Sequence, residues 1–212
     1  MFITFEGIEG SGKSTLVSQL ALLLKDIGID PLITREPGGT VLGRELRAIL
    51  LNPAGAHIQP LSELFLYAAD RAQHVREVIR PALDRGRTVL CDRFSDATAA
   101  YQGYGRGIPQ ETIRSADALA REGLVPDLTV LLDLPPEEGL GRAKSRNARE
   151  AAGAETRMDD EQPEFHGKIR EGYLDLAGQE PDRFLVLDAS NRPEDLASRV
   201  LAEFRERFPN AL

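Results

Sequence analysis

The sequence predicts an α/β fold, a mainly parallel five-stranded sheet covered by helices on both faces. Two observations carry that expectation. Short apolar runs rich in β-formers recur five times, and longer segments with helical patterning lie between them. The polar residues of most chemical interest fall just after those runs, where ligands of such sheets sit beyond the carboxyl ends of the strands.

Phe2–Phe5 is the first strand, and a glycine-rich turn leads from it into a helix over Ser14–Gly28. Pro31–Thr34 is the second strand. The stretch TREPGGT (Thr34–Thr40) then turns the chain, because the residue before Pro37 is held extended and Gly38–Gly39 allows a sharp bend. That bend can aim Arg35 and Glu36 at the carboxyl edge of the sheet, although a plain turn has the same pattern. Helices follow over Thr40–Leu51 and Ser62–Leu83, then a third strand over Thr88–Cys91 and a helix over Pro109–Glu122. Leu128–Leu132 is the fourth strand and Phe184–Leu187 the fifth. The helices Pro136–Arg149, Pro163–Ala177 and Pro193–Arg207 each open on proline, which suits a first helical turn. One segment, SRNAREAAGAETRMDDEQ (Ser145–Gln162), is polar and has no apolar face. It reads as a short mobile lid, with a solvated connection as the alternative.

At 212 residues the chain is expected to form one domain, residues 1–212, with a single sizeable core. No apolar run approaches the length that spans a bilayer, and MFITFEG lacks the basic stretch of a secretory leader. The lone Cys91 cannot pair within the chain, so a reducing cytoplasm is expected. A net charge of −8 argues against bulk nucleic-acid binding but leaves room for a small anionic substrate. Lysines are few (Lys13, Lys25, Lys144 and Lys168), and arginine supplies the other basic side chains.

Lys13 stands in FEGIEGSGKST, where Gly7-x-x-x-x-Gly12-Lys13-Ser14 has the spacing of a phosphate-binding loop. The glycines leave successive amides free to converge on phosphate oxygens. Lys13 adds a compact charge near the β/γ-phosphates, Ser14 offers a hydroxyl to Mg²⁺, and the helix that follows adds its positive end. The strand before and helix after complete the context of a P-loop NTPase, so a nucleoside triphosphate is expected there. Motors, switches and small-molecule kinases all share the loop. An acid is expected at the end of another strand, and Asp92, Asp133 and Asp188 are candidates. Asp92 is favoured because Arg93 and a polar-rich segment follow it at once.

FEGIEGSGKST, TREPGGT, YAADRAQH (Tyr67–His74), DRFSDATAAYQGYGRG (Asp92–Gly107) and PDLTVLLDLPPEEGLGRA (Pro126–Ala143) together resemble bacterial thymidylate kinases in order and spacing, from residue 2 to about 205. The resemblance implies a P-loop kinase that moves the γ-phosphoryl of ATP to dTMP, giving dTDP and ADP in dTTP synthesis. Mg²⁺ would be the cofactor and a homodimer the assembly, with neither nucleic acid nor membrane as partner. It implies that Gly7, Ile8, Glu9, Gly10, Ser11, Gly12, Lys13, Ser14 and Thr15 hold the ATP phosphates, with Arg142 against adenine. Ser14 would ligate the metal and Asp92 position it through water. On the acceptor side it assigns Glu9 to the 3′-hydroxyl, and Arg93 and Arg35 to the dTMP phosphate. Glu36, Pro37 and Arg47 lie nearby. Tyr67 stacks on thymine, Arg71 donates to a base carbonyl, Thr98 and Gln102 face the base edge, and Tyr101 crowds a ribose 2′-hydroxyl.

Relatives often have Phe where Tyr67 stands and Ser where Ala97 stands. Some carry an arginine where this chain has Gly10, whereas others supply it from the lid. Arg157 in TRMDDE matches the lid motif best, then Arg146, then Arg149, so Arg157 and Arg146 join Lys13, Asp92 and Arg93 as catalytic candidates. His57, His74 and His166 are read as structural or surface residues, and Cys91 as a small buried hydrophobe. Two other readings stand beside this one. One is a P-loop kinase of another nucleotide or of a nucleoside, of which the nucleoside kinase would have less use for Arg93 because its acceptor carries no phosphate. The other is an ATP sensor, which would leave the acceptor-side cluster without employment.

Overall fold

The computed structural model describes residues 1–54, 57–148 and 156–209. Five parallel strands, β1 (Phe2–Glu6), β2 (Leu32–Arg35), β3 (Val89–Asp92), β4 (Leu128–Asp133) and β5 (Phe184–Asp188), lie in the order β2-β3-β1-β4-β5. The helices are α1 (Lys13–Asp26), α2 (Val41–Leu51), α3 (Pro60–His74), α4 (Arg80–Asp84), α5 (Ser95–Thr98), α6 (Gln110–Arg121), α7 (Pro136–Asn147), α8 (Pro163–Gln179) and α9 (Pro193–Arg207). Among the described residues, no helix is long and apolar enough to cross a membrane.

Central β1 is buried along its whole length, and alternation divides it between two cores. Ile3 and Phe5 join the larger cluster with Leu16, Leu20 and Leu24 of α1 and Val200 and Phe204 of α9. Phe2 joins the smaller one with Val75, Ile79, Val89 and Phe94, its ring edge-on to Phe94 at 4.9 Å. Thr4 and Glu6 share the Phe2 parity, so a carboxylate is driven to the buried end of the middle strand. Pairing puts Phe5 beside Asp92 and Arg35 beside Asp92. The carboxyl ends of β1, β2 and β3 therefore meet at one edge.

Three expectations need adjustment. The helix expected over Ser62–Leu83 is continuous in space but contains a π-helical turn, Val75–Ile79, between α3 and α4. Pro81 lacks an N–H and its ring crowds the preceding turn, which the wider turn accommodates. The stretch after β3, for which no helix was expected, is helical: α5 runs into a π-helical segment, Ala99–Gly105. Gly103 and Gly105 disguise it because glycine has low helix propensity. Packing overrides that penalty, and a Cβ on Gly105 would stand 2.6 Å from the Phe165 ring on α8. Finally, the two described ends of the lid differ: Ser145, Arg146 and Ala148 are exposed, whereas the chain around Met158 is docked. Residues 145–147 belong to α7, Met158 and Asp159 are buried, and the Arg157 N–H donates to Leu51 O at 3.3 Å. Arg149 lies outside the described residues.

Candidate active site

A cleft of about 540 Å³ opens at the carboxyl edge of β1, β2 and β3. Glu9, Gly10, Lys13, Ser14, Asp92 and Arg93 line one part of it. Arg35, Glu36, Pro37, Arg47, Tyr67, Arg71, Thr98, Tyr101, Gln102 and Arg146 are among the residues that line the other part. Gly7, Ile8, Ser11, Gly12 and Thr15 sit in or beside the loop without lining the cleft. Arg142 and Arg157 also lie off its lining.

The loop closes on itself through Lys13, whose Nζ donates to Gly7 O at 3.0 Å, Ile8 O at 2.9 Å and Ser11 Oγ at 3.3 Å. Burial, with the Arg93 charge, pushes the ammonium down to about 8. Gly10 has φ +71, and a Cβ there would lie 2.0 Å from Gly139 O. Helix α7 thus rests backbone to backbone on the loop, and no side chain fits at Gly10. An arginine at position 10 is sterically excluded in this chain, which leaves the arginines of the lid, Arg146 at the end of α7 and Arg157 beyond it, as the described candidates. Ser14 Oγ donates to Asp92 Oδ2 at 2.7 Å. Two neighbouring oxygen donors suit Mg²⁺, which prefers oxygen and keeps most of its shell for water and phosphate.

Asp133 and Asp188 have other work. Asp133 holds a two-point pair with Arg170 at 2.7 and 2.9 Å, and Asp188 accepts from the Ser190 N–H. Arg142 donates to Ala189 O at 3.0 Å and is half exposed on α7.

Glu9 is the junction of the two parts. Its Oε1 accepts from Arg93 Nη2 at 2.9 Å and from Tyr101 Oη at 2.6 Å, and its Oε2 lies 3.2 Å from His166 Nδ1. Burial alone would raise this carboxyl, but Arg93, with His166, Lys13 and Tyr101, holds it well below the usual range. Arg93 has φ +70, a left-handed conformation that is strained for a side-chain-bearing residue. The surroundings enforce it: the Arg93 N–H donates to Phe5 O, Nη1 donates to Tyr173 Oη at 3.2 Å, and the guanidinium lies 4.8 Å from the Tyr101 ring centroid. Tyr173 in turn donates to Glu6 Oε2 at 2.7 Å, and the Phe94 N–H donates to Glu6 Oε1. Burial, reinforced by Asp96, pushes Glu6 up to about 7.

The turn after β2 rests on a second buried cluster. Glu36 accepts from Arg71 Nε at 2.9 Å and faces His74 Nδ1 at 2.9 Å, while His74 Nε2 pairs with Thr34 Oγ1 at 2.7 Å. Arg71 also donates to Asp117 Oδ1 at 3.0 Å and Phe94 O at 2.9 Å. Asp70 accepts from the Gly38 N–H at 3.1 Å; burial, then the Glu36 charge, pushes it up to about 6. Arg47 Nη1 donates to Pro37 O.

The two lid arginines part company. Arg146 lines the cleft, held by Asp159 at 3.1 Å, whereas Arg157 donates to Leu50 O and, at 2.6 Å, to Glu63 Oε2.

Sequence reasoning missed the supporting residues. In YAADRAQH, His74 stands three residues after Arg71 and four after Asp70, so its place beside each was readable from helical spacing. Glu6, Asp117, Tyr173 and His166 gave no local signal. His74 and His166 are structural, as expected, yet each touches a carboxylate of the cleft. His57 is exposed. Cys91 is buried, and burial raises its thiol well above the ordinary value.

The thymidylate kinase family profile matches residues 5–200. The chain is 56% identical to a thymidylate kinase of Desulfovibrio desulfuricans, covering 98% of both chains. It is 53% identical to one of Nitratidesulfovibrio vulgaris, over 97% of this chain and 96% of the other. The chain belongs to the thymidylate kinase family. A crystal structure of the family member from Ehrlichia chaffeensis superposes with a TM-score of 0.75 at 34% identity, over 95% of this chain and 98% of that one. The family's α/β architecture is thus shared along nearly the whole chain.

Proposed function

We propose that this protein transfers the γ-phosphoryl group of ATP to dTMP, releasing ADP and dTDP. The observation that carries the reading is the Arg93–Glu9 pair, which joins the phosphate-binding loop to the aromatic-lined part of the same cleft. Phosphoryl transfer needs two polyanions held in line and their repulsion neutralised, with no covalent enzyme intermediate.

On the donor side, the loop amides of Gly7 to Thr15 and the Lys13 ammonium hold the ATP phosphates, and Arg142 on α7 lies toward adenine. Ser14, with Asp92 through water, would hold Mg²⁺, which would supply charge neutralisation to the transferring phosphates. On the acceptor side, Arg93 and Arg35 take the dTMP phosphate, with Arg47, Glu36 and Pro37 shaping the turn around it. Glu9 remains ionised, so it accepts from the 3′-hydroxyl. Tyr101, bonded to Glu9, crowds the position a 2′-hydroxyl would need. Tyr67 stacks on the base, Thr98 and Gln102 face its edge, and Arg71 has N–H groups beyond its three protein bonds to offer a carbonyl. Of the two described lid arginines, Arg146, which lines the cleft, is the one assigned to the transferring group; Arg157 contributes only if it leaves Glu63.

The same reading makes the protein a cytoplasmic homodimer. Leu42 and Ile49 on α2 and Leu61 and Phe65 on α3 are 42–57% exposed, an apolar face on two packed helices that a second copy would cover. A coupled ADP-release assay with ATP, Mg²⁺ and a panel of nucleoside monophosphates and thymidine tests the activity. dTMP is expected to be the preferred acceptor, and preference for a purine nucleotide or for thymidine overturns the assignment.

A further inference from the structure

Glu63, on α3 one turn before Tyr67, has its side chain 1% exposed and makes no direct claim on the cleft. Three side chains converge on it. Arg106 donates from Nε at 3.1 Å and Nη2 at 3.2 Å, Arg157 Nη2 donates at 2.6 Å, and Gln102 Nε2 donates at 2.8 Å. Burial alone would raise the carboxyl, but the Arg106, Gln102 and Arg157 bonds hold it below its usual range. Glu63 is therefore an anion, and an ionised carboxylate can only accept hydrogen bonds.

This settles the orientation of the Gln102 amide. Its NH₂ must face Glu63, because the reverse orientation would press a carbonyl oxygen against a carboxylate. The carbonyl oxygen is then the amide atom left for the rest of the surroundings, and Gln102 lines the cleft at 1% exposure.

We propose that Glu63 is a positioning residue that determines base specificity: it locks the Gln102 amide so that an acceptor, and not a donor, faces the base pocket. The proposal rests on the reading of the cleft as a pyrimidine nucleotide site. Thymine and uracil carry a hydrogen on N3, whereas cytosine carries a lone pair there. A fixed acceptor pairs with the first two and meets the third with an unpaired, repulsive contact. A buried site built for an N–H rejects an analogue that lacks one far more strongly than it rejects a missing methyl group. An amide free to rotate would accept either edge. Arg106 and Arg157 serve this function by keeping Glu63 charged and in place.

The test compares kcat/KM for dTMP, dUMP and dCMP in the wild type, Glu63→Gln, Gln102→Met and the double variant. In Glu63→Gln the amide at 63 can accept or donate, so Gln102 is released. The preference for dTMP over dCMP is expected to fall by about tenfold or more, while that for dTMP over dUMP changes by less than about twofold, since both carry the N3 hydrogen. Gln102→Met is expected to lose the same preference, and adding Glu63→Gln to it should bring no further loss. An equal fall for all three nucleotides marks a packing role and overturns the proposal, as does an unchanged dTMP to dCMP ratio. Gln102→Met carries the test by itself should Glu63→Gln not fold: a retained ratio there also overturns it. A wild-type protein that forms no dTDP strikes instead at the proposed function.

Discussion

In the donor part of the cleft, Gly7 to Ser14 supplies loop, lysine and hydroxyl from one short stretch of chain, and its geometry is made by backbone. In the acceptor part, Glu36 after β2, Arg71 and His74 on α3, Phe94 after β3 and Asp117 on α6 converge from separate elements, and the geometry is made by buried charges. The first can lose its tying side chain, Lys13, because water from the open cleft can take the place of the ammonium at Gly7 O, Ile8 O and Ser11 Oγ. The second cannot, because removing one partner strands the others in a low-dielectric interior.

The sharpest test of this contrast is Arg71→Met. It leaves Glu36 and Asp117 without their shared cation, and a loss of about 3–5 kcal/mol of stability is expected, read as a fall in Tm of about 10 °C or more. Lys13→Met should divide its effects the other way: kcat falls about a thousandfold, near 4 kcal/mol in the barrier, while Tm falls by less than half of the Arg71→Met loss. If Lys13→Met unfolds the protein while Arg71→Met is merely slow, the contrast is wrong.

Arg146→Ala is expected to lower kcat about a hundredfold with little change in KM for dTMP. Arg157→Ala should act mainly on stability and on the Glu63 cluster. A kcat loss larger for Arg157 than for Arg146 would mean that Arg157 abandons Glu63 during turnover.

Asp70 sharpens the comparison through pH. Its folded pKa, about 6, stands above the ordinary 3.8, so the folded protein takes up the proton more readily than the unfolded chain. Stability from this group is present below about pH 4 and is lost as pH rises through about 6. Asp70→Asn keeps an oxygen for the Gly38 N–H, so it should be about 1–3 kcal/mol more stable than the wild type at pH 8 and no more stable at pH 4. Urea titrations at both pH values check this. The smallest expected effect is Tyr67→Phe, which retains the ring and should change KM for dTMP by less than about twofold. A larger change would reveal a role for the hydroxyl.

How much was legible follows the same division. The five strands stand within one or two residues of the apolar runs, and the loop, Asp92 and Arg93 lie at the strand ends where parallel-sheet geometry puts ligands. Glycine-rich Tyr101–Gly107 hid its helical part, because close contact with α8 is a property of the neighbour and not of the segment. Arg157 and Arg146 were readable as lid arginines, but their order of approach to the cleft depends on Glu63 and Asp159, partners 94 and 13 positions away.

Local chemistry alone thus determined the alternating strands and helices, the phosphate loop and the roll of charged residues near it, since periodicity, glycine freedom and hydroxyl placement act over a few residues. Only the tertiary structure decided which charges neutralise one another: that Gly10 meets Gly139, that Glu9 is held ionised by Arg93, and that Glu63 orients Gln102. Each of those depends on the desolvation and separation of groups distant in sequence, and Coulombic and steric terms at a few ångströms are set by the fold that brings them there.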